Sequence, residues 1–300
     1  MPFGKSIFYL ISLNYRLHLA RVKKMCKIKE MQIRKSQLPD INHLSILAAV
    51  ILLTYALTPF VNIPVSQLSF RVVGIIFEFQ INYNTFVSIL AAAISAVGAY
   101  WLVQTHSRSK SGSNIQHIIL PALTAWVIGL PLRSIRFSPQ WWVVFALGGA
   151  LLILVYIAEY IVVDFANEWH AIAAGVLKVI SFALYLLLAI ALRAAQLRLY
   201  LLLPALVIPL ALVALRTLYL QAGKWMGAWA AGIAIITGQF AIGFQYLPLT
   251  PLSFGLLLLG PAYALTDIAL SYQDRETWKG IWVGPLIIMG VLYGLAFLAW

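Results

Sequence analysis

The chain has 300 residues, of which 62% are hydrophobic and only 10% charged, with a formal net charge of +12. A soluble domain this apolar could not cover its own surface, and apolar segments fill so much of the chain that no separate water-soluble catalytic domain fits between them. Nine of the 21 basic residues precede Asp40, and no basic face interleaved with aromatics follows, which excludes a nucleic-acid-binding role.

Residues 1–42 read as a basic cytoplasmic or interfacial segment carrying Lys5, Arg16, Arg21, Lys23, Lys24, Lys27, Lys29, Arg34 and Lys35. Such a flank beside a first membrane helix holds that end in the cytoplasm and attracts anionic lipid. Residues 1–30 admit two readings. One is an in-plane amphipathic helix with Ile7, Leu10, Leu13 and Leu17 toward lipid. The other is a coding start at Met25 or Met31 rather than Met1. No cleavable signal is recognisable, because Asn14, Arg16 and His18 follow the short apolar run directly. Cys26 is the single cysteine, so neither a disulfide framework nor a cysteine metal cage is expected.

Residues 43–300 read as an all-α transmembrane domain of about nine helices, over 43–61, 85–103, 115–132, 141–161, 171–192, 199–220, 226–246, 250–270 and 281–299. Each span is close to the roughly 20 apolar residues that cross the hydrocarbon. Trp101, Trp141, Trp142, Trp169, Trp225, Trp278, Trp282 and Trp300 fall near predicted ends, where an indole sits between lipid and water; Trp126 is mid-span. The third span is the weakest, bracketed by Pro121 and Pro131, and admits a re-entrant alternative. With the N-terminus inside and nine crossings, the basic segment, Arg108, Lys110, Arg216, Lys224, Arg275 and Lys279 share the cytoplasmic side. The other side holds only Arg71, Arg133, Arg136, Arg193 and Arg198. The expected location is the cell membrane, plasma or inner.

Between the first two spans, Phe77 to Asn84 alternates apolar and polar residues with the period of a half-buried strand. Phe70-Arg71-Val72 alternates too, and Val73-Gly74 could turn between them. The expectation is a β-hairpin within 62–84, its Phe77, Phe79, Ile81 and Tyr83 face resting on helix ends or the lipid interface. Small residues in Gly290/Gly294, in Gly227/Ala228/Ala231/Gly232 and in Ala91/Ser95/Ala99 predict close helix packing.

Charge inside hydrocarbon is costly and therefore the best pointer to a site. Glu159, Lys178, Arg216 and Asp267 fall within spans at comparable depth by helical rise, which predicts a neutral network among helices four, five, six and eight. The alternative is that each snorkels to the interface. In the loop after helix four, Asp164 and Glu168 are spaced i, i+4 with His170 close by; with Glu159 these are the candidate catalytic residues. No second carboxylate cluster accompanies them, so no metal site is expected. Pro204, Pro209, Gly260-Pro261, Thr237 and Gln239 suggest helices broken at mid-depth and a polar midplane site. No nucleotide, zinc-protease, nucleophile-elbow or haem-attachment motif is present, and His43, His117 and His170 are not paired on one helix, so no cofactor is expected.

Glu159 to Asp164, Leu199 to Leu206 and Leu249 to Gly260 resemble a bacterial polytopic family known only as a domain of unknown function, over roughly 44–298. The resemblance implies a multi-pass membrane fold and no activity, cofactor or site. Three functions from different classes stay open. The favoured one is a non-catalytic component that assists assembly or anchoring of other membrane proteins. The others are a carrier for a small or lipidic solute and an intramembrane lipid-modifying enzyme. The expected partners are the bilayer, anionic lipid at the basic segment and other membrane proteins.

Overall fold

The computed structural model describes residues 41–60, 66–72, 75–81, 83–104, 115–163, 169–273 and 278–299. The basic segment 1–40, with its two readings, lies outside them. The helices are α1 (Ile41–Ala56), α2 (Tyr83–Gln104), α3 (Gln116–Ser134), α4 (Pro139–Val162), α5 (His170–Ala194), α6 (Leu199–Ala222), α7 (Gly227–Gln245), α8 (Pro251–Gln273) and α9 (Trp278–Leu298). A 3₁₀ turn, Thr58–Phe60, lengthens α1. Among the described residues nine helices are long and apolar enough to cross a membrane. Helices of 19–25 residues measure about 28–38 Å at a 1.5 Å rise, which matches a hydrocarbon core of about 30 Å. The protein is a multi-pass membrane protein with the architecture of an all-α bundle.

The hairpin expectation needs correction. Strands β1 (Ser66–Val72) and β2 (Ile75–Ile81) pair antiparallel, Ser66 opposite Ile81 and Val72 opposite Ile75. The ribbon therefore does not fill 62–84, and it is no part of the bundle that defines the fold class. The proposed four-residue face also fails, because Tyr83 is the first residue of α2 and packs against the helical core. The strand stops at Ile81 although the alternation runs on to Asn84, because the helical spacing of α2 takes over from Tyr83.

Two large apolar clusters organise the interior, and a smaller third joins α6, α7 and α8 through Leu218, Ile233 and Leu270. Of the large two, one joins α1 to α4 through Ile51, Ala91, Leu102, Leu152 and Tyr156. The other joins α3 to α8 through Leu120, Leu177, Leu188, Leu206, Val213 and Phe254. Helix α3 contributes to both and touches α2, α4, α5 and α6. It is the least apolar of the nine helices and, with α8, the most enclosed. Its weak membrane signature thus has a structural cause: protein rather than lipid surrounds it. Trp126 packs partly buried against the larger cluster. Peripheral α9 and α1 are the least enclosed. Outward residues such as Val97, Val179 and Phe297 are strongly exposed and apolar, as a lipid-facing surface requires.

The proline positions do not break helices. α6 runs continuously through Pro204 and Pro209, and α8 through Gly260-Pro261. At Pro121 the Ser95 hydroxyl of α2 donates to the proline carbonyl at 2.9 Å, and Tyr156 of α4 lies 2.7 Å from the same hydroxyl. That triple contact joins α2, α3 and α4.

Small residues divide into two groups. Ala91, Ser95 and Ala99 are fully buried at helix contacts. Gly290, Gly294, Gly227 and Gly232 face open space instead, so the glycines of α7's start and α9 do not mediate packing within the chain. The close approach of α8 and α9 uses Gly260, where an added Cβ would stand 2.7 Å from the Tyr293 ring and 3.2 Å from Met289. Gly260→Ala should therefore lower stability by about 1–3 kcal/mol through overpacking. Gly294→Ala should be silent in the same detergent melting assay.

Candidate functional site

The most enclosed polar cluster lies near one end of the bundle, where α3 begins and α4 and α6 finish. Glu159 of α4 and Arg216 of α6 are each 1% exposed. Arg216 Nε donates to Glu159 Oε1 at 3.1 Å, and Nη2 donates to Oε2, completing a two-point grip. Such a fork satisfies both oxygens and fixes relative orientation, which a lysine could not do. His117 of α3 joins them, its Nδ1 2.8 Å from Glu159 Oε2 and 3.2 Å from Arg216 Nη2. A carboxylate only accepts, so Nδ1 carries a proton and donates to Glu159. The approach of Arg216 Nη2 to that nitrogen is then a packing contact between two donors.

A polar fringe surrounds this cluster. Gln116 Nε2 donates to the Tyr219 hydroxyl at 3.1 Å, and the Arg216 guanidinium lies 5.9 Å from the Tyr219 ring centre. Arg216 Nη1 and Gln116 Oε1 are buried without a hydrogen-bond partner among the described residues.

The second ion pair links α5 to α8. Lys178 Nζ donates to Asp267 Oδ1 at 2.9 Å and sits 4.9 Å from the Tyr263 ring centre. These side chains are 13% and 26% exposed, so this pair is wetter than the first. The four charges expected to meet do pair, but as two separate couples. Among the described residues no hydrogen bond or ion pair connects one couple to the other.

The remaining candidates are dispersed. Asp164 and Glu168 lie outside the described residues, while His170 opens α5. Thr237 is fully buried on α7 but Gln239 is exposed. Two residues turn a helix by about 200°, so these side chains cannot line one pocket. No group of three or more His, Cys, Asp or Glu among the described residues is gathered to hold a metal ion. His117, Gln116 and Tyr219 were not singled out from sequence. Their available signal was a Gln-His pair opening the least apolar span, where polarity is costly unless another helix answers it.

The two couples predict different energetics. Removing one partner of a buried ion pair strands the other, a cost of about 3–5 kcal/mol. Glu159→Gln should therefore destabilise strongly, whereas Asp267→Asn should cost about 1 kcal/mol or less, as partly solvated pairs do. In double-mutant cycles read by detergent melting, Glu159 with Arg216 should couple strongly. Glu159 with Lys178 should be additive to within about 0.5 kcal/mol.

No curated protein and no solved structure matches this chain. The model of a family described as "Protein of unknown function (DUF5656)" matches residues 63–299, from just before β1 to the end of α9. The chain belongs to that family.

Proposed function

We propose that the protein is a non-catalytic membrane component that assists the assembly or anchoring of other membrane proteins. It resides in the cell membrane with its basic segment on the cytoplasmic side, next to anionic lipid. The observation that carries this reading is the closure of the intramembrane charges. Glu159 is held by Nε and Nη2 of Arg216 and by His117, and Lys178 is taken by Asp267. A carrier or an intramembrane enzyme keeps at least one such group turned toward a substrate.

Two apolar cavities fit the same reading. One of about 400 Å³ is lined by Leu247, Leu257, Tyr293 and Phe297, and one of about 440 Å³ by Ile46, Val50, Val97 and Trp101. Both are apolar, and neither touches either ion pair. The continuity of α6 and α8 and the outward position of Gln239 count against a midplane solute site.

Deletion of the gene in its own host, followed by quantitative proteomics of the membrane fraction, tests the assignment. A defined set of other multi-pass proteins should fall at least twofold and return on complementation. Crosslinking in native membranes should recover members of that same set. An unchanged membrane proteome would overturn the assignment.

A further inference from the structure

At the opposite end of the bundle from the ion pairs, where the hairpin leaves, α1 to α4 enclose a cavity of about 250 Å³. Its lining differs in kind from the two apolar cavities. Tyr55 and Thr58 enter from the end of α1, Ser88 from α2, Arg133 and Gly129 from α3, and Trp141 from α4. Polar and apolar groups share the wall, with hydroxyls and a guanidinium on one part and aromatic and aliphatic carbon on the rest.

The polar part is built rather than incidental. The Tyr55 hydroxyl donates to the Ala125 carbonyl, and Ser88 shares a hydrogen bond with Tyr55. Gly129 makes room for both, since a Cβ there would stand 2.5 Å from Ser88 Oγ and 3.1 Å from the Tyr55 oxygen. Arg133 donates through Nη1 to Thr85 Oγ1 at 3.2 Å. A guanidinium has five donors, and among the described residues no carboxylate pairs with this one. The ion-pair end therefore neutralises its arginine, whereas this end keeps one beside a cavity.

Depth and size identify the chemistry. Arg133 is one residue from the end of α3. Around it Phe60, Phe137, Trp141, Trp142 and Phe145 form a connected aromatic group. Aromatic clusters of this kind mark the head-group level of a bilayer. The cavity is smaller than the roughly 300–1,000 Å³ of pockets that enclose a drug-sized ligand. It suits a head group whose acyl chains stay in the membrane. Arginine is the side chain best matched to phosphate oxygens, through paired N–H donors.

We propose that this cavity binds the phosphate head group of an anionic lipid, with Arg133 as the anion's donor and with Tyr55, Thr58 and Ser88, whose hydroxyl protons go to protein acceptors, shaping the wall. The site stands independently of the assembly reading and would persist if that reading failed.

Native mass spectrometry of the full chain in neutral detergent tests it, with dioctanoyl phosphatidic acid, dioctanoylglycerol and inorganic phosphate as probes. Phosphatidic acid should bind saturably and dioctanoylglycerol at least tenfold more weakly. Arg133→Gln should weaken phosphatidic acid binding about tenfold, and Arg133→Lys, which keeps the charge but loses the fork, a few-fold. Arg198→Gln, an exposed cation at the same end, should leave binding within twofold. Melting of each variant without lipid separates a lost site from a lost fold, and Arg133→Lys keeps the test alive should Arg133→Gln not fold. Undiminished binding by Arg133→Gln, or an equal loss in Arg198→Gln, would overturn the site. Competition by inorganic phosphate at concentrations equal to the lipid's would overturn the lipid assignment in favour of a free phosphate.

Discussion

A carboxylate and a guanidinium buried in hydrocarbon can persist only as a pair, and in this protein the arrangement of the central helices follows from that requirement. Glu159 and Arg216 are on α4 and α6, and the helix that brings them together is α3, which adds His117 to the same oxygen. An interior of low dielectric makes the attraction strong and an unpaired member costly. The contact therefore constrains rotation and register for three helices at once. Leucine packing alone does this poorly, because one apolar face slides over another with little penalty. Three helices with a single polar solution have few alternative arrangements, and specificity of that kind is the best-attested use of a buried polar group.

The position of α3 is the second consequence. A helix carrying Gln116, His117 and two prolines would be a poor lipid-facing span, yet it is among the most enclosed of the nine. Its His117 is answered by Glu159, and about one turn further along Ser95 donates to its Pro121 carbonyl. Helix α3 thus takes part in one of the two polar clusters, while Lys178 and Asp267 pair α5 with α8 without it. Peripheral α1 and α9 have no such role and are the least enclosed.

This explains which features were legible in sequence. Span number and position were open to reading because bilayer thickness imposes a length that any apolar run either meets or fails. The boundaries from α2 to α9 fall within about three residues of those expected, while α1 as an α-helix stops at Ala56 and continues only as a 3₁₀ turn. The charged residues of the interior were legible for the same reason, being rare and costly. Their partners were not. Depth along a helix follows from counting residues, but azimuth does not, so Lys178 could not be assigned to Asp267 rather than to Glu159. Histidine at a span end carries no signature of its own, which is why His117 was passed over as a ligand and missed as a partner. Gly290 and Gly294 show the converse error: their spacing permits close packing, but only a facing helix can use it, and α9 turns them away from the bundle.

The two ends of the bundle are chemically unequal, and that asymmetry bears on function more than any single residue does. At the end where α3 begins, Arg216 pairs with Glu159 and Lys178 with Asp267 inside the protein. At the end where α3 finishes, Arg133 borders a cavity among hydroxyls and aromatic rings, with no carboxylate among the described residues to cancel it. The Ser95 hydroxyl, Tyr156 and the Pro121 carbonyl hold α2, α3 and α4 to one another about one helical turn from the ion-pair cluster. The described helices thus keep these hydrogen-bonded groups where they meet and carry apolar side chains such as Val97 and Val179 on their outward faces.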